Sequence, residues 1–241
     1  MNNKQAFLKG LRDGVPIFLG YLSVSFTFGL RASEYGLPPW FAVLVSMTNL
    51  TSAGQFAGLD LLVVGAGYLE IAVTTLVINL RYALMSLSLG QKARQMGTAA
   101  RLVLSFGVTD EVFALASQQK GVLTAAYLAG LIFTPYWGWA LGTAVGAGAS
   151  GLLPLSVRSA LGIAIYGMFL AIIVPPARQF RPVAITVLLA AGLSCLLRLV
   201  VGLGWLRLSG GWQLILCAVA AAAFAASRFP LQVTGQEEEG T

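Results

Sequence analysis

The feature that most constrains this chain is a series of apolar runs, two of which are interrupted by polar residues at their centres. Val15–Leu30, Tyr68–Gly90, Gly121–Val145, Leu155–Val174, Val183–Val201 and Trp212–Ala226 are each long or nearly long enough for a bilayer core, which takes about 20 apolar residues per helix. Trp40–Val64 is apolar at both ends but carries Asn49, Thr51, Ser52, Gly54 and Gln55 in its middle. Leu102–Ser117 carries Thr109, Asp110 and Glu111 in the same way. Charged residues are only 10% of the 241, against 57% hydrophobic, whereas a soluble domain has about 25% charged. Too few charges remain to cover a water-facing surface. The chain therefore reads as an all-α, polytopic integral membrane protein.

Charge placement orders the segments. The net charge is +6, and its lysines and arginines lie mostly in short loops between apolar runs, which the positive-inside rule explains without nucleic acid. If every apolar segment crossed, Lys92, Arg94 and Arg101 would face the side opposite Lys4, Lys9 and Arg12. If Trp40–Val64 enters and leaves on one side, both basic stretches share the cytoplasm. Treating Leu102–Ser117 alike brings Arg178, Arg181 and Arg228 inside and leaves Arg31, Arg158, Arg198 and Arg207 outside or near that face. The expectation is about six transmembrane helices plus two re-entrant segments, both termini cytoplasmic, in one domain over 1–228. Residues 229–241 form a polar, acidic tail ending in Glu237-Glu238-Glu239, expected to be disordered. The basic N-terminus resembles a signal peptide, but no A-x-A-type site follows, so Val15–Leu30 reads as the first span.

Broken helices matter because non-helical backbone at membrane depth survives only where protein or a water-filled cavity satisfies it. In transporters such breaks form the substrate site. No sequence repeat links the two. Ser46, Asn49, Ser52, Gly54 and Gln55 cluster at the first break, where Gly54 permits irregular backbone and a half-helix N-terminus attracts an anionic group. Small polar residues also glue helices together. Arg81, with Asn79 two residues before it, stands mid-helix and needs a partner inside the protein; Asp110 and Glu111 are the best candidates. Arg81 reads as a ligand for a substrate carboxylate, as half of a switchable ion pair, or as half of a permanent one. Thr109 or Asp110 can simply cap a helix, yet two adjacent carboxyl groups at low dielectric leave proton coupling open to the site.

The remaining features are weaker. Tyr21, polar-tipped, can line a cavity from the first span. Glu70, near the outer end of its helix, reads as solvated. Tyr136, Trp137 and Trp139 precede Gly142, Gly146 and Gly148; the aromatics read as an interfacial belt rather than a substrate wall, and the glycines as close helix packing. Cys195 and Cys217, inside apolar runs without CxxC spacing, read as buried hydrophobes. The chain has no histidine, the commonest metal ligand, and no G-x-S-x-G, H-E-x-x-H or P-loop motif. It reads as no enzyme, with no metal and no cofactor.

These elements together resemble the AzlC family of branched-chain amino acid permeases. The likeness rests on Gly14-Val15-Pro16, Ser46-Met47 leading to Ala53-Gly54-Gln55-Phe56, and Leu69-Glu70-Ile71 before Asn79-Leu80-Arg81 and Leu84-Met85-Ser86. Thr109-Asp110-Glu111 with Phe113, and Tyr136-Trp137 before a glycine-rich stretch, complete it up to about Arg228. The resemblance implies export of valine, leucine, isoleucine and analogues across a bacterial inner membrane, together with a small hydrophobic membrane partner of the AzlD type. A zwitterion with an apolar side chain suits the residues. Arg81 or a half-helix N-terminus would take the carboxylate, and Asp110 or Glu111 the ammonium. The alternatives are a transporter of another small organic solute, a channel, or a structural membrane subunit.

Overall fold

A computed structural model describes residues 2–119, 122–154, 156–157, 167, 170 and 173–229. The chain falls into two compact units, residues 1–168 and 169–241. All regular structure among the described residues is helical. The first unit holds α1 (Asn3–Glu34), α2 (Pro39–Thr48), α3 (Ser52–Val63), α4 (Tyr68–Lys92), α5 (Thr98–Ser105), α6 (Asp110–Gln118) and α7 (Ala125–Ala149). The second holds α8 (Arg181–Gly202) and α9 (Gly210–Arg228), packed on each other. Helices α1, α4, α8 and α9 are long and apolar enough to cross a membrane, and α7 is as long as α4. The expected span Leu155–Val174 and the acidic tail beyond Phe229 lie largely outside the described residues.

Helix α1 starts well before the expected Val15, because the segment with Lys4, Lys9 and Arg12 is amphipathic and continues the helix. Pro16 sits inside it and removes one backbone donor, which in a transmembrane helix neighbouring groups must offset. Thr134 Oγ1 on α7 donates to Leu11 O at 3.2 Å, on the turn preceding the proline.

The framework is a parallel pair, α1 and α7. Tyr127, Gly130 and Leu131 lie against Gly10, Pro135 against Gly14, Gly138 against Phe18, Gly142 against Leu22 and Ser25, and Gly146 against Phe26. Each of these glycines lets one backbone approach the other, as small residues do at membrane helix interfaces. The expected packing role holds for Gly142 and Gly146 but not for Gly148, whose added Cβ would meet nothing within 4 Å.

Both polar-interrupted segments are broken where the polar residues stand. Helices α2 and α3 are separated by Asn49, Leu50 and Thr51, and α5 and α6 by residues 106–109. At 1.5 Å per residue the four pieces are only about 12–18 Å long, too short to cross. Side-chain contacts give their direction. The chain leaves α1 through a Leu37 N–H to Ala32 O bond of 3.0 Å, descends through α2 to the level of Trp139, and climbs back through α3. There Asp60 pairs with Arg31 at 2.9 Å and accepts from Tyr35 Oη at 3.1 Å. So α2 and α3 enter and leave at the C-terminal end of α1. Helices α5 and α6 do the same at the other end. In the last turn of α6 Ser117 O accepts from Lys92 Nζ at 2.6 Å, and just beyond the helix Gln119 Oε1 accepts from Lys9 Nζ at 2.9 Å. The two re-entrant pairs are thus inverted relative to one another, and their breaks face each other near the middle of α1, around Tyr21.

Candidate functional site

The two breaks are built alike. In each, a threonine is the N-cap of the second half-helix, Thr51 before α3 and Thr109 before α6, in extended conformation. An apolar residue precedes each one, Leu50 and Val108. Their hydrogen bonding differs. Thr109 Oγ1 accepts from Val112 N and caps α6. Thr51 Oγ1 turns away to donate to Asn49 Oδ1 at 2.9 Å, so α3 has no side-chain cap. One half-helix N-terminus therefore presents two carboxyl groups in its first turn, Asp110 and Glu111, where the helix dipole favours them. The other keeps the positive character of uncapped N–H groups.

Both N-termini border one cavity of about 460 Å³, within the roughly 300–1,000 Å³ of small-molecule sites. Its polar wall is Tyr21, Ser52, Tyr82, Thr109, Asp110 and Glu111. Its apolar wall is Pro16, Ile17, Gly20, Val24, Leu50, Ala114, Leu115 and Trp139. Tyr21 lies between the two. Its ring meets the edge of Trp139 at 5.1 Å between centroids, and its hydroxyl lies 2.5 Å from Glu111 Oε2 and 2.6 Å from Thr109 Oγ1. A phenol has one proton. With Tyr21 donating to Glu111, the Thr109 contact is satisfied by the threonine's own hydroxyl proton.

Arg81 finds its partner in Asp110, Nη2 to Oδ2 at 3.0 Å, rather than in Glu111. It also donates to Tyr82 Oη at 3.1 Å, while its buried Nε has no hydrogen-bond partner. Arg81 stands behind Asp110 and Tyr82 and is not among the lining residues.

The structure separates the expected site residues into groups. Tyr21, Ser52, Asp110 and Glu111 line the cavity, and Arg81 supports it through Asp110. Ser46 and Gln55 are buried behind Trp139. Asn49, Gly54 and Gln55 border a second cavity of about 170 Å³ between α1, the first re-entrant pair and α4. Asn79 packs against Gly54, where an added Cβ would meet Asn79 Oδ1 at 2.6 Å, and that oxygen is buried without a partner.

Several expectations are corrected. Trp139 is not interfacial; it is 2% exposed and central. Tyr136 also turns inward, donating to Met47 O at 3.2 Å and so satisfying a carbonyl at the end of α2. Glu70 is buried rather than solvated. Cys195 is exposed, while Cys217 is buried as expected. Sequence reasoning passed over Tyr82 and Leu50 as wall residues. The signals were the position of Tyr82 next to Arg81 and the apolar-threonine pair shared by both breaks. Among the described residues no group of three His, Cys, Asp or Glu side chains could hold a metal.

Comparison with known proteins places this arrangement. Residues 16–153, which contain both breaks, match the family model described as AzlC protein. The inner membrane protein YgaZ of Escherichia coli is 29% identical over 78% of this chain and 80% of its own length. An uncharacterized membrane protein of Archaeoglobus fulgidus is 32% identical over 73% of this chain and 78% of its own. The branched-chain amino acid transport protein AzlC of Bacillus subtilis is 24% identical over 46% of this chain and 43% of its own. No solved structure matches the chain.

Proposed function

Because the chain belongs to the AzlC family of membrane proteins, we propose that it is a multi-pass transporter of branched-chain amino acids in a bacterial inner membrane. It exports valine, leucine, isoleucine and their analogues, together with a small hydrophobic subunit of the AzlD type. The observation that carries this reading is the mid-depth cavity between two inverted half-helix N-termini, one uncapped and one acidic. An amino acid is a zwitterion with a side chain, and the cavity offers a complement to each part. The carboxylate faces the uncapped N-terminus of α3 beside the Ser52 hydroxyl. The ammonium faces Asp110 and Glu111. The side chain lies against Ile17, Val24, Leu50, Leu115 and Trp139, which gains from burial of apolar surface and leaves no buried polar group unpaired.

The ion pair of Arg81 with Asp110 gives the site its charge balance. An ammonium that approaches Asp110 competes with Arg81 for the same carboxyl group, so binding and release can be coupled to breaking and remaking one pair. Glu111 instead accepts from the Tyr21 hydroxyl, so it stays free of Arg81 and available to the ammonium. Each re-entrant pair is pinned at its own end of α1, by Arg31 and Asp60 at one and by Lys9 and Gln119 at the other. Loosening one pinned end at a time opens the cavity to one side at a time.

The test is uptake of labelled valine into inverted vesicles, with and without the small subunit and with and without a pH gradient. Saturable uptake that needs both subunits supports export. Saturable uptake of a different labelled solute, with none of valine, leucine or isoleucine, assigns another small organic substrate. Conductance without saturation assigns a channel.

A further inference from the structure

We propose that Gln55 and Ser46 are positioning residues that hold Trp139 as the wall limiting the size of the side chain the central cavity accepts; this rests on the transport reading above. Trp139 and the three side chains behind it form a ring of hydrogen bonds that closes through the Trp139 backbone carbonyl. Trp139 Nε1 donates to Gln55 Oε1 at 3.1 Å, and Gln55 Nε2 donates to Ser46 Oγ at 2.7 Å. Ser46 Oγ and Thr143 Oγ1 are 2.7 Å apart, and Thr143 Oγ1 donates to Trp139 O at 3.0 Å.

The ring has one direction. An indole N–H only donates, so the Gln55 oxygen must face it and the Gln55 amino group must face Ser46. Thr143 spends its single proton on the Trp139 carbonyl, so Ser46 is the donor in the contact between the hydroxyls. No amide flip or hydroxyl rotation preserves all four bonds. The members are all sealed from solvent, at 1% exposure for Gln55 and Ser46 and 0% for Thr143, where an unpaired donor or acceptor is costly.

Hydrogen bonds matter to this wall because the residue that backs it, Gln55, is itself bordered by open space. The central cavity is in front of Trp139 and the smaller one borders Gln55 behind. On the cavity side the indole is braced by Tyr21. Behind, it is held by Gln55, and the bond from Gln55 to Ser46 keeps that side chain from swinging into the second cavity and releasing the indole. The ring also joins α2, α3 and α7, so the wall is in place only when the first re-entrant pair is seated on α7.

Two measurements test this. In a protein whose Trp40, Trp137, Trp205 and Trp212 are replaced by phenylalanine, time-resolved fluorescence anisotropy reports Trp139 alone. The indole should show no fast local motion. Gln55→Leu should introduce it, and Ser46→Ala, which carries the test if Gln55→Leu does not fold, should introduce a smaller amount. An unchanged decay in these variants overturns the positioning role. In vesicles, Trp139→Phe should raise the potency of phenylalanine relative to valine as a competitor by roughly 10-fold, the lower end of what a change of one or two carbons in an apolar pocket is worth. Gln55→Leu should shift the same ratio in the same direction. A ratio unmoved by Trp139→Phe overturns the wall. If the unsubstituted protein takes up none of these amino acids, the transport reading falls, and the anisotropy still decides the positioning.

Discussion

Replacing Gly146 with alanine should destabilise the protein, while the same replacement at Gly148, two residues along the same helix, should not. A Cβ at Gly146 would collide with Phe26 O, and would stand 2.7 Å from Phe26 C and 2.9 Å from Phe26 Cα. All three are backbone atoms of α1 and cannot rotate away. Ordinary contact begins near 3.4 Å, and the carbonyl oxygen is the nearest of the three, so α1 and α7 must separate locally by more than about 1 Å. Overpacking of this kind costs about 1–3 kcal/mol. A radial gap of 0.5–1 Å also forfeits a quarter to a half of the dispersion energy between the atoms pulled apart, which here includes the contacts at Gly142. The upper part of that range, about 2–3 kcal/mol, is the expected cost. Alanine's helix propensity returns up to ~1 kcal/mol, leaving a net loss of about 1–2 kcal/mol. At Gly148 the added Cβ meets nothing, so only the propensity gain remains. The two variants should therefore differ by about 2–3 kcal/mol, or roughly 5–10 °C in midpoint on the scale of soluble domains of similar length. The measurement is the loss of the monodisperse size-exclusion peak after stepwise heating in detergent. Equal midpoints for Gly146→Ala and Gly148→Ala would refute the parallel glycine-mediated packing of α1 on α7.

The other expectations concern the site and the topology. Arg81→Ala should abolish most transport and lower expression, since it leaves the Asp110 carboxyl group without its cation; recovery of both in the Arg81→Ala, Asp110→Ala double variant would make the pair structural, and normal transport by a folded Arg81→Ala protein would remove Arg81 from the mechanism. Tyr21→Phe keeps the ring against Trp139 but deletes the hydroxyl between Thr109 and Glu111, and should reduce transport at least about 10-fold, the effect of losing one hydrogen bond to a charged group; unchanged uptake kinetics would argue against a role for that hydroxyl. In a protein lacking Cys195 and Cys217, single cysteines at Glu34 and Ala66, on either side of α2 and α3, should react with impermeant reagents from the same face of the membrane and one at Gln95, beyond α4, from the opposite face; labelling of Glu34 and Ala66 from opposite faces would contradict the re-entrant α2 and α3. Valine, leucine, isoleucine and methionine should compete with one another for uptake, because an apolar wall discriminates a methylene by only about 1–3 kcal/mol; equal inhibition by lysine or aspartate would rule out the apolar side-chain site.

Read by itself, the sequence determined the solvent of this protein and the places where its helices break. Charge scarcity and run length decide membrane insertion locally, residue by residue, so Tyr68–Gly90 and Val183–Val201 were legible to within a few positions of α4 and α8. The breaks were legible for the same reason. A stretch such as Asn49-Leu50-Thr51-Ser52 or Thr109-Asp110-Glu111 competes with the helical backbone through its own side chains, wherever the rest of the chain lies. The charge bias even indicated that both broken segments turn back.

What only the tertiary structure decided is which residues those breaks face. Arg81 could have paired with Asp110 or Glu111, which are neighbours in sequence but diverge on the first turn of α6; the geometry of α4 against α6 selects Asp110. Ser46 and Gln55 fall in the same polar cluster as Ser52, yet α3 turns Ser52 to the cavity and Gln55 to Trp139. Trp139 lies close to Tyr136 and Trp137 in a run that composition alone reads as an interfacial belt, and it becomes a buried wall because α1 sits so close to α7 that the middle of α7 is enclosed. Helical periodicity tells which residues share a face. It does not tell which neighbour covers that face, because the covering helix is brought there by contacts such as Gly146 on Phe26, 120 residues apart.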